Sequence, residues 1–347
     1  MMSPKEVKKE LQNWPKLLKE YQKPSSKKAI GQMLNTFLPF FGIWVASYFL
    51  MEESIILGML LAIVNAFFLV RIFIIQHDCG HRSFLKSSKW MNFIGHVCSV
   101  FSAIPYKYWA SSHDFHHQHN GQLDHRDIGD INMLTVAEYK ELDRWGRLKY
   151  RIYRMPIVLF VLGPLYYILI HQRLPLIGSN AKERINKVKV SLMKSNVLII
   201  GVYVALAFIL DWKNFLLVQL SILGFFSVIA IWFFYVQHQH EHNYKAWKDN
   251  WDYVLAAIKG STYYKLPRLF NWLTGSIGFH HIHHLNPLIP NYNLKKCHKD
   301  NPIFEKVVNI IRFRESFSFM FHKLWDEQKQ RMITFREFQK MERAGLV

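Results

Sequence analysis

The sequence is poor in cysteine, proline and glycine, and each shortage excludes a class of protein. Among 347 residues there are three cysteines, Cys79, Cys98 and Cys297, and no CxxC pair, so a disulfide framework or zinc ribbon is not indicated. Prolines and glycines number only 12 and 16, and no repeat or low-complexity stretch is visible. The N-terminus lacks the apolar core of a cleavable signal, so the first apolar run is expected to direct membrane insertion. The few cysteines fit a reducing, cytosol-facing environment.

Acidic residues are also outnumbered, since 44 Lys and Arg oppose 25 Asp and Glu and give a formal charge of +19. The Lys and Arg residues flank the apolar blocks, as they do in membrane proteins with basic cytoplasmic segments. Docking of an acidic protein partner is the alternative interpretation of this charge. Because no recognised nucleic-acid motif accompanies the basic residues, no nucleic-acid partner is expected.

Half of the residues are apolar, and they concentrate in long runs that predict membrane spans. Each long run is close to the about 20 residues that cross a bilayer as a helix. Short polar links, at Glu52-Glu53 and at 211–214, predict that the runs form two helical hairpins. Two shorter apolar stretches are expected to be interfacial or partly inserted, with full spans as the alternative. The long runs are 33–51, 54–75, 195–211 and 214–236, and the shorter stretches are 91–105 and 156–171.

The basic residues predict which ends of the hairpins face the cytoplasm. Residues 1–30 carry eight lysines and 76–194 is rich in Lys and Arg, whereas the link between the first two runs has neither. The positive-inside rule therefore places both segments, and the C-terminal part, in the cytoplasm. The predicted fold is an all-α integral membrane protein of two transmembrane hairpins with a cytoplasmic helical cap. Its parts are an interfacial segment (1–30), a membrane and catalytic domain (31–300) and an amphipathic, helical cytoplasmic tail (301–347).

Histidine, by contrast, is abundant, and most of the 18 histidines cluster beside predicted membrane elements. Spacings of i, i+3 and i+4 place side chains on one face of a helix. Imidazole binds iron, copper or zinc through one ring nitrogen while an acceptor holds the other. Nearby carboxylates that could be such acceptors are Asp78, Asp114, Asp124, Asp127 and Asp130. The clusters are His77 and His81; His113, His116 and His117; His238, His240 and His242; and His280, His283 and His284.

The number of clustered histidines favours two metal ions. The three boxes and one further histidine supply nine ligands, whereas a zinc site usually takes four. Soluble di-iron bundles use Glu-x-x-His motifs, and that pattern is missing here. A histidine-rich pair of irons is the remaining interpretation, and iron suits O₂ chemistry on an unactivated C–H bond.

The histidine boxes resemble those of the membrane fatty acid desaturases, and the resemblance runs from about residue 30 to residue 300. It is closest to bacterial acyl-lipid (phospholipid) desaturases of the Δ5 type. The three residues between His77 and His81 are typical of that branch, because the acyl-CoA branch has four. The agreement beyond the boxes lies in 121–124 (GQLD), 129–131 (GDI), 232–239 (WFFYVQHQ), 261–267 (STYYKLP) and 290–294 (PNYNL).

This resemblance implies a di-iron centre, O₂ as co-substrate, two electrons per turnover and a cis double bond in a membrane-lipid acyl chain. It also implies a bacterial plasma-membrane enzyme with its site on the cytoplasmic side. No His-Pro-Gly-Gly haem motif occurs, so electrons are expected from a separate acidic carrier, a ferredoxin or flavodoxin. The implied ligands are His77, His81, His113, His116, His117, His238, His280, His283 and His284.

Some assignments stay open at the level of sequence. His240 or His242 could replace His238 as a ligand, or could help to hold the ligands, as Asp78, Asp114 and Asp124 could. A hydroxylase could use the same metal site. A metal-binding or transport protein is the third possibility, but transport favours ionisable residues within the spans, and these spans carry almost no charge.

Overall fold

A computed structural model describes residues 2–126, 128–175 and 182–346, and the chain is mainly helical. Within these residues, four helices are long and apolar enough to cross a membrane, as the sequence predicts. The first two and the last two pack as hairpins, and α4 packs against α11. The four helices are α3 (Ser26–Glu53), α4 (Ile55–Gly80), α10 (Lys182–Ile209) and α11 (Trp212–His238).

Polar residues in the short links explain where these helices begin. The Ser54 hydroxyl accepts a hydrogen bond from the Leu57 backbone N–H and caps α4. The Asp211 carboxylate does the same for α11 by accepting from the Asn214 N–H at 2.9 Å. A side-chain oxygen at this position satisfies one of the donors that a helix start leaves unpaired.

At their other ends, α4 and α11 continue beyond the apolar runs and carry histidines. α4 ends at Gly80 rather than residue 75, and α11 ends at His238 rather than residue 236. These last turns are buried by the cap rather than by lipid, so they need not be apolar. Gln76, for example, donates to the carbonyl of Ile104 at 3.0 Å and accepts from the Ser102 hydroxyl.

The other helices form the cap and the membrane-surface elements. The 15-residue α5 covers the stretch predicted at 91–105 and is too short to be a candidate span. The stretch at 156–171 belongs to a bent helical pair, 144–153 and 158–173, that meets at 57° and could form a broken span or a re-entrant loop. The remaining helices are α1 (Pro4–Glu10), α2 (Trp14–Leu18), α5 (Ser88–Ser102), α6 (Tyr106–His119), α7 (Val136–Glu141), α8 (Arg144–Tyr153), α9 (Gly163–Leu169), α12 (Tyr253–Ile258), α13 (Arg268–Leu273), α14 (His280–Leu285), α15 (Asn291–Asp300), α16 (Ile303–Val307), α17 (Phe313–Phe319) and α18 (Phe335–Arg343), with a π-helix at Val158–Leu162 and 3₁₀ turns at Lys19–Gln22, Leu123–His125, His171–Arg173 and Lys248–Asn250.

The tail after residue 301 includes a helix at its end (Phe335–Arg343), as its composition predicts, together with elements that were not expected there. It contains short helices and three strands, and two of these strands pair with segments that precede the tail. One sheet has the order β1-β4-β5, with β1 parallel and β5 antiparallel to β4, and the other pairs β2 with β3 in parallel. Leu324, Ile333 and Phe338 of the tail are buried in protein, whereas Phe313, Phe317 and Phe321 are exposed. The strands are β1 (Leu134–Thr135), β2 (Thr262–Lys265), β3 (Asn309–Arg312), β4 (His322–Asp326) and β5 (Arg331–Thr334).

The N-terminal segment packs on the cap. Val7, Leu11 and Leu18 are fully buried in a cluster that includes Ile282 and Leu285 of α14. The segment therefore covers the helix that carries the third histidine box.

Candidate metal centre

Four helices deliver the histidines that the boxes predict. The first box lies at the C-terminal end of α4, with His77 in the last turn and His81 as the capping residue after it. The second box lies on α6, the single histidine at the end of α11, and the third box on α14. The short helix α14 is buried along its whole length, because α12, α15 and the N-terminal segment cover it. All nine implied ligands are buried and lie in two adjacent groups.

The first group contains five histidines. Each offers one ring nitrogen, and these five atoms all lie within 4.8 Å of one another. Two come from α4, two from α6 and one from α14. The members are His77, His81, His113, His117 and His283.

The second group contains His116, His238 and His284, whose ring nitrogens also converge within 4.8 Å. His280 joins them, because its Nε2 lies 2.8 Å from that of His238 and 3.1 Å from that of His284. The Nε2 atoms of His116 and His238 are 3.3 Å apart.

The two HxxHH boxes divide their histidines between the groups in the same manner. In α6 the i, i+4 pair, His113 and His117, belongs to the first group, and His116 belongs to the second. In α14 the pair His280 and His284 belongs to the second group, and His283 belongs to the first. On a helix, the side chains of residues i and i+4 point in similar directions around the axis. The side chain of residue i+3 points to the other side of residue i. Each box thus bridges both groups.

This arrangement suits metal ions better than hydrogen bonds alone. One N–H···N hydrogen bond joins only two imidazoles, yet four Nε2 atoms converge in the second group. Among the described residues, the buried Nε2 atoms of His81 and His283 have no hydrogen-bond partner. A buried polar atom without a partner costs about 1–3 kcal/mol. A metal ion bound by these nitrogen lone pairs would remove that cost, so the residues fit two ions.

The protonation state of the histidines also fits metal binding. Burial lowers the pKa of His113, His117, His283 and His284 well below 6.5, and neighbouring histidines lower it further. Burial lowers the pKa of His116 to about 4. These side chains are therefore neutral at pH 7, and no proton must leave before a metal binds.

Carboxylates hold the outer nitrogens of the first group. Asp78 accepts a hydrogen bond from His77 Nδ1 at 3.0 Å through one oxygen. Its other oxygen accepts from the backbone N–H and the side-chain amide of Asn291, at 2.6 and 2.8 Å. Asp114 Oδ1 lies 3.5 Å from His81 Nδ1, and its side chain is 45% exposed. Both contacts turn the Nε2 atoms toward the centre of the group, as in carboxylate–histidine–metal arrangements.

In the second group, a backbone carbonyl contacts the outer ring nitrogen of a histidine. His238 Nδ1 lies 3.3 Å from the carbonyl oxygen of Gly260. Only glycine fits there, since a Cβ would lie 2.4 Å from the carbonyl oxygen of Ala256. Gly129 has a φ of +69° and packs against α6. A Cβ at this position would lie 3.1 Å from the Cβ of His116. Sequence reasoning missed these glycines and Asn291, although the GDI and PNYNL motifs contain two of the three.

Three of the supporting residues expected from the sequence lie outside these contacts. Asp124 accepts a hydrogen bond from the backbone N–H of Lys248 instead of a histidine. His240 is buried and His242 is exposed, and within the described chain neither belongs to the two groups. The reason is that α11 ends at His238, so the residues beyond it leave the helix face. Asp127 lies outside the described residues.

Comparison with known proteins points to one family. The family model described as fatty acid desaturase matches residues 54–313. The chain is 42% identical over 316 residues to "Fatty acid desaturase" of Bacillus subtilis (strain 168), covering 91% of this chain and 88% of that protein.

More distant relatives carry more specific names. The sn-1 oleoyl-lipid 12-desaturase of Synechocystis sp. is 30% identical over 239 residues, 65% of this chain and 63% of that protein. The endoplasmic reticulum omega-3 fatty acid desaturase of Vigna radiata is 29% identical over 241 residues, 66% of this chain and 60% of that protein. With a family model over most of its length and a close relative over nearly all of it, the chain belongs to the fatty acid desaturase family.

Proposed function

We propose that this desaturase introduces a cis double bond into the acyl chain of a membrane lipid and uses O₂ and two external electrons. The overall reaction converts –CH₂–CH₂–, O₂, two electrons and two protons into –CH=CH– and two waters. The observation that carries the proposal is the pair of adjacent, buried histidine groups in a chain of this family.

The nine histidines are proposed to hold two iron ions, one in each group. When bound, such a pair supplies the oxidising power that removes hydrogen from two adjacent unactivated carbons. The protein's own part is to fix the ligands and exclude water. Asp78 orients His77, the Gly260 carbonyl orients His238, and burial of the nine side chains excludes water.

Aromatic side chains flank both groups and are proposed to contact the acyl chain. The Trp109 ring stacks on His113 at 4.5 Å between centroids and meets Phe73 of α4 at 4.8 Å. Phe234 of α11 lies 5.3 Å from His116 and 4.9 Å from His238. Because α4 and α11 lead from the bilayer to the histidines, an apolar chain that follows them would reach both groups. Arg71, the cation of α4, donates hydrogen bonds to Thr36 and Asn35 of α3.

A lipid-linked acyl chain is the proposed substrate form. The Synechocystis relative is named an oleoyl-lipid desaturase, and the spacing of the first box agrees with that branch. The proposed location is a bacterial plasma membrane with the site on the cytoplasmic side, where the lysine-rich segments also lie. An acidic ferredoxin or flavodoxin on that side is the proposed source of electrons.

Expression in a bacterium without its own desaturase tests this function. Gas chromatography–mass spectrometry of the extracted lipids should reveal a new cis-monounsaturated acid at one double-bond position. The His113→Ala variant, inserted at the same level, should produce none. A hydroxy acid without an olefin would overturn the proposal in favour of a hydroxylase, and unchanged lipids with a well-inserted, iron-loaded protein would overturn it altogether.

A further inference from the structure

The N-terminal segment and α15 pack together and present a compact basic surface, here called the lysine face. It consists of five exposed lysines: Lys19, Lys23, Lys295, Lys296 and Lys299. The two elements are joined directly. The side-chain amide of Asn293 donates to the Tyr21 carbonyl at 2.8 Å, and the Tyr21 hydroxyl donates to Asp300 at 3.0 Å.

The charge of this surface is strongly one-sided. Residues 2–30 and α15 contain eleven lysines, all exposed, against four carboxylates. Within α15 the lysines at 295, 296 and 299 share the exposed side, while Leu294 and Cys297 on the opposite side are buried. Asp300 forms an ion pair with Lys296 and accepts a hydrogen bond from Tyr21, so it offsets one of the five lysine charges.

The same helix that presents these lysines also holds a histidine of the first group. Asn291, in the first turn of α15, donates two hydrogen bonds to Asp78, and Asp78 accepts one from His77. Each link is 3.0 Å or shorter. Hydrogen bonds therefore connect Asn291 with His77, and the backbone of α15 connects Asn291 with the lysines of this face.

We infer that the lysine face is the docking site of an acidic one-electron carrier protein. This inference rests on the proposed function, which requires two electrons per double bond. At each encounter the docked carrier is oxidised and the metal centre is reduced by one electron, so two encounters serve one turnover. The contacts of Asn291 with Asp78 and of Asp78 with His77 connect the helix of this face with the first group of histidines.

A membrane surface is the competing partner for a lysine-rich face. The helix α8 illustrates the pattern of a helix suited to a membrane surface. On α8, the exposed apolar side chains Trp145, Leu148 and Ile152 form one stripe, flanked by the cations Arg144 and Lys149. On the lysine face, in contrast, none of the described residues of 19–22 and 291–300 is an exposed large apolar side chain. An interfacial helix needs an apolar stripe, so the lysine face suits a polar, acidic protein.

Charge reversal at two lysines tests the inference without touching the packing against Tyr21. The test variant is Lys295→Glu with Lys299→Glu. The control carries the same change in charge on α18, at Arg336→Glu with Arg343→Glu, which are also exposed. Purified enzymes in identical nanodiscs are assayed with a reduced acidic bacterial ferredoxin at several salt concentrations, and ferredoxin binding is measured separately. Thermal unfolding and iron content confirm that each variant is folded and loaded, and Lys295→Gln with Lys299→Gln replaces the test variant if it is not.

The expected result is a rise of about tenfold or more in both KM and Kd for ferredoxin in the test variant, with kcat unchanged and a weaker salt dependence. The control should match the wild type. An unchanged KM and Kd in the test variant, or equal losses in the control, would overturn the inference. Equal binding of ferredoxin by both enzymes, with a loss of activity only in nanodiscs of anionic lipid, would overturn it in favour of a membrane contact.

A single turnover with dithionite-reduced enzyme, O₂ and lipid separates this inference from the function on which it rests. The test variant should form as much olefin as the wild type, because no carrier is needed. If the wild type itself forms no olefin under these conditions, the proposed function fails, whatever the docking result.

Discussion

The two histidine groups use the same ligand type, but they differ in what holds the outer nitrogens. In the first group, carboxylates lie at hydrogen-bond or ion-pair distance from His77 and His81. In the second group, a backbone carbonyl lies against His238. A carboxylate both orients an imidazole and adds negative charge, whereas a carbonyl mainly orients it. We therefore expect the first group to respond to changes in nearby charge and the second to respond to changes in packing.

The largest effect is expected from two adjacent ligands that belong to different groups. His283→Ala and His284→Ala should each abolish desaturation, since either removes a proposed ligand. Each should also lower the metal content from about two irons per chain to about one. Spectroscopy of ⁵⁷Fe-loaded protein should then reveal a different remaining iron in each variant.

His281→Gln is the matched control for this pair. His281 is buried between the ligands in sequence but lies outside both groups. The variant should keep both irons. If His283→Ala and His284→Ala deplete the same iron, the division into two groups is wrong.

The next largest effect should follow removal of the charge on Asp78. Asp78→Asn keeps the shape but weakens the support of His77, so iron affinity should fall about 10- to 100-fold. Chelator competition measures this loss, and only the iron of the first group should become labile. Equal loss of both irons would argue that Asp78 supports the whole cap rather than one group.

A smaller effect is expected at Asp114. Its carboxylate is 3.5 Å from His81 and 45% exposed, so solvent weakens its interaction with the imidazole. Asp114→Asn should therefore change iron affinity by only about twofold to fivefold in the same chelator assay. A loss as great as that of Asp78→Asn would contradict the ranking by burial and distance.

The smallest effect should come from the histidines after α11. His242→Gln changes an exposed side chain and should leave activity and both irons unchanged. His238→Gln at the end of α11 is the contrasting variant, and it should remove the second iron as His284→Ala does. Retention of two irons in His238→Gln, together with loss in His242→Gln or His240→Gln, would transfer the ligand assignment to that residue.

Much of this architecture follows from local sequence signals. The four spans were predictable because lipid-facing helices need long apolar runs, and the histidine boxes were predictable because ligands on one helix need i, i+3 and i+4 spacing. The extension of α4 and α11 as far as their histidines was not predictable from apolar runs, because protein rather than lipid covers those last turns. Which of two groups each histidine joins depends on how α6 and α14 face each other, and no single segment encodes that.

The residues that hold the histidine ligands in place were only partly predictable, because some of them come from distant segments of the chain. Asp78 and Asp114 lie inside the boxes, and their contacts with histidines are local or nearly so. Asn291 reaches Asp78 from 213 positions away, and Gly260 reaches His238 across a turn in the cap. Asp124 is a carboxylate close in sequence to the second histidine box, yet it accepts a hydrogen bond from the backbone N–H of Lys248 and not from a histidine. Two strands of the tail, β3 and β4, pair with β2 and β1, which are distant in sequence, so no local pattern indicates these pairings.

The central claim is that each histidine group holds one iron. Iron analysis of well-loaded wild-type protein, combined with Mössbauer spectroscopy, tests it most directly. The result expected is about two irons per chain in two distinguishable, nitrogen-rich environments. One iron or none per chain, or preferential retention of another metal, would contradict it.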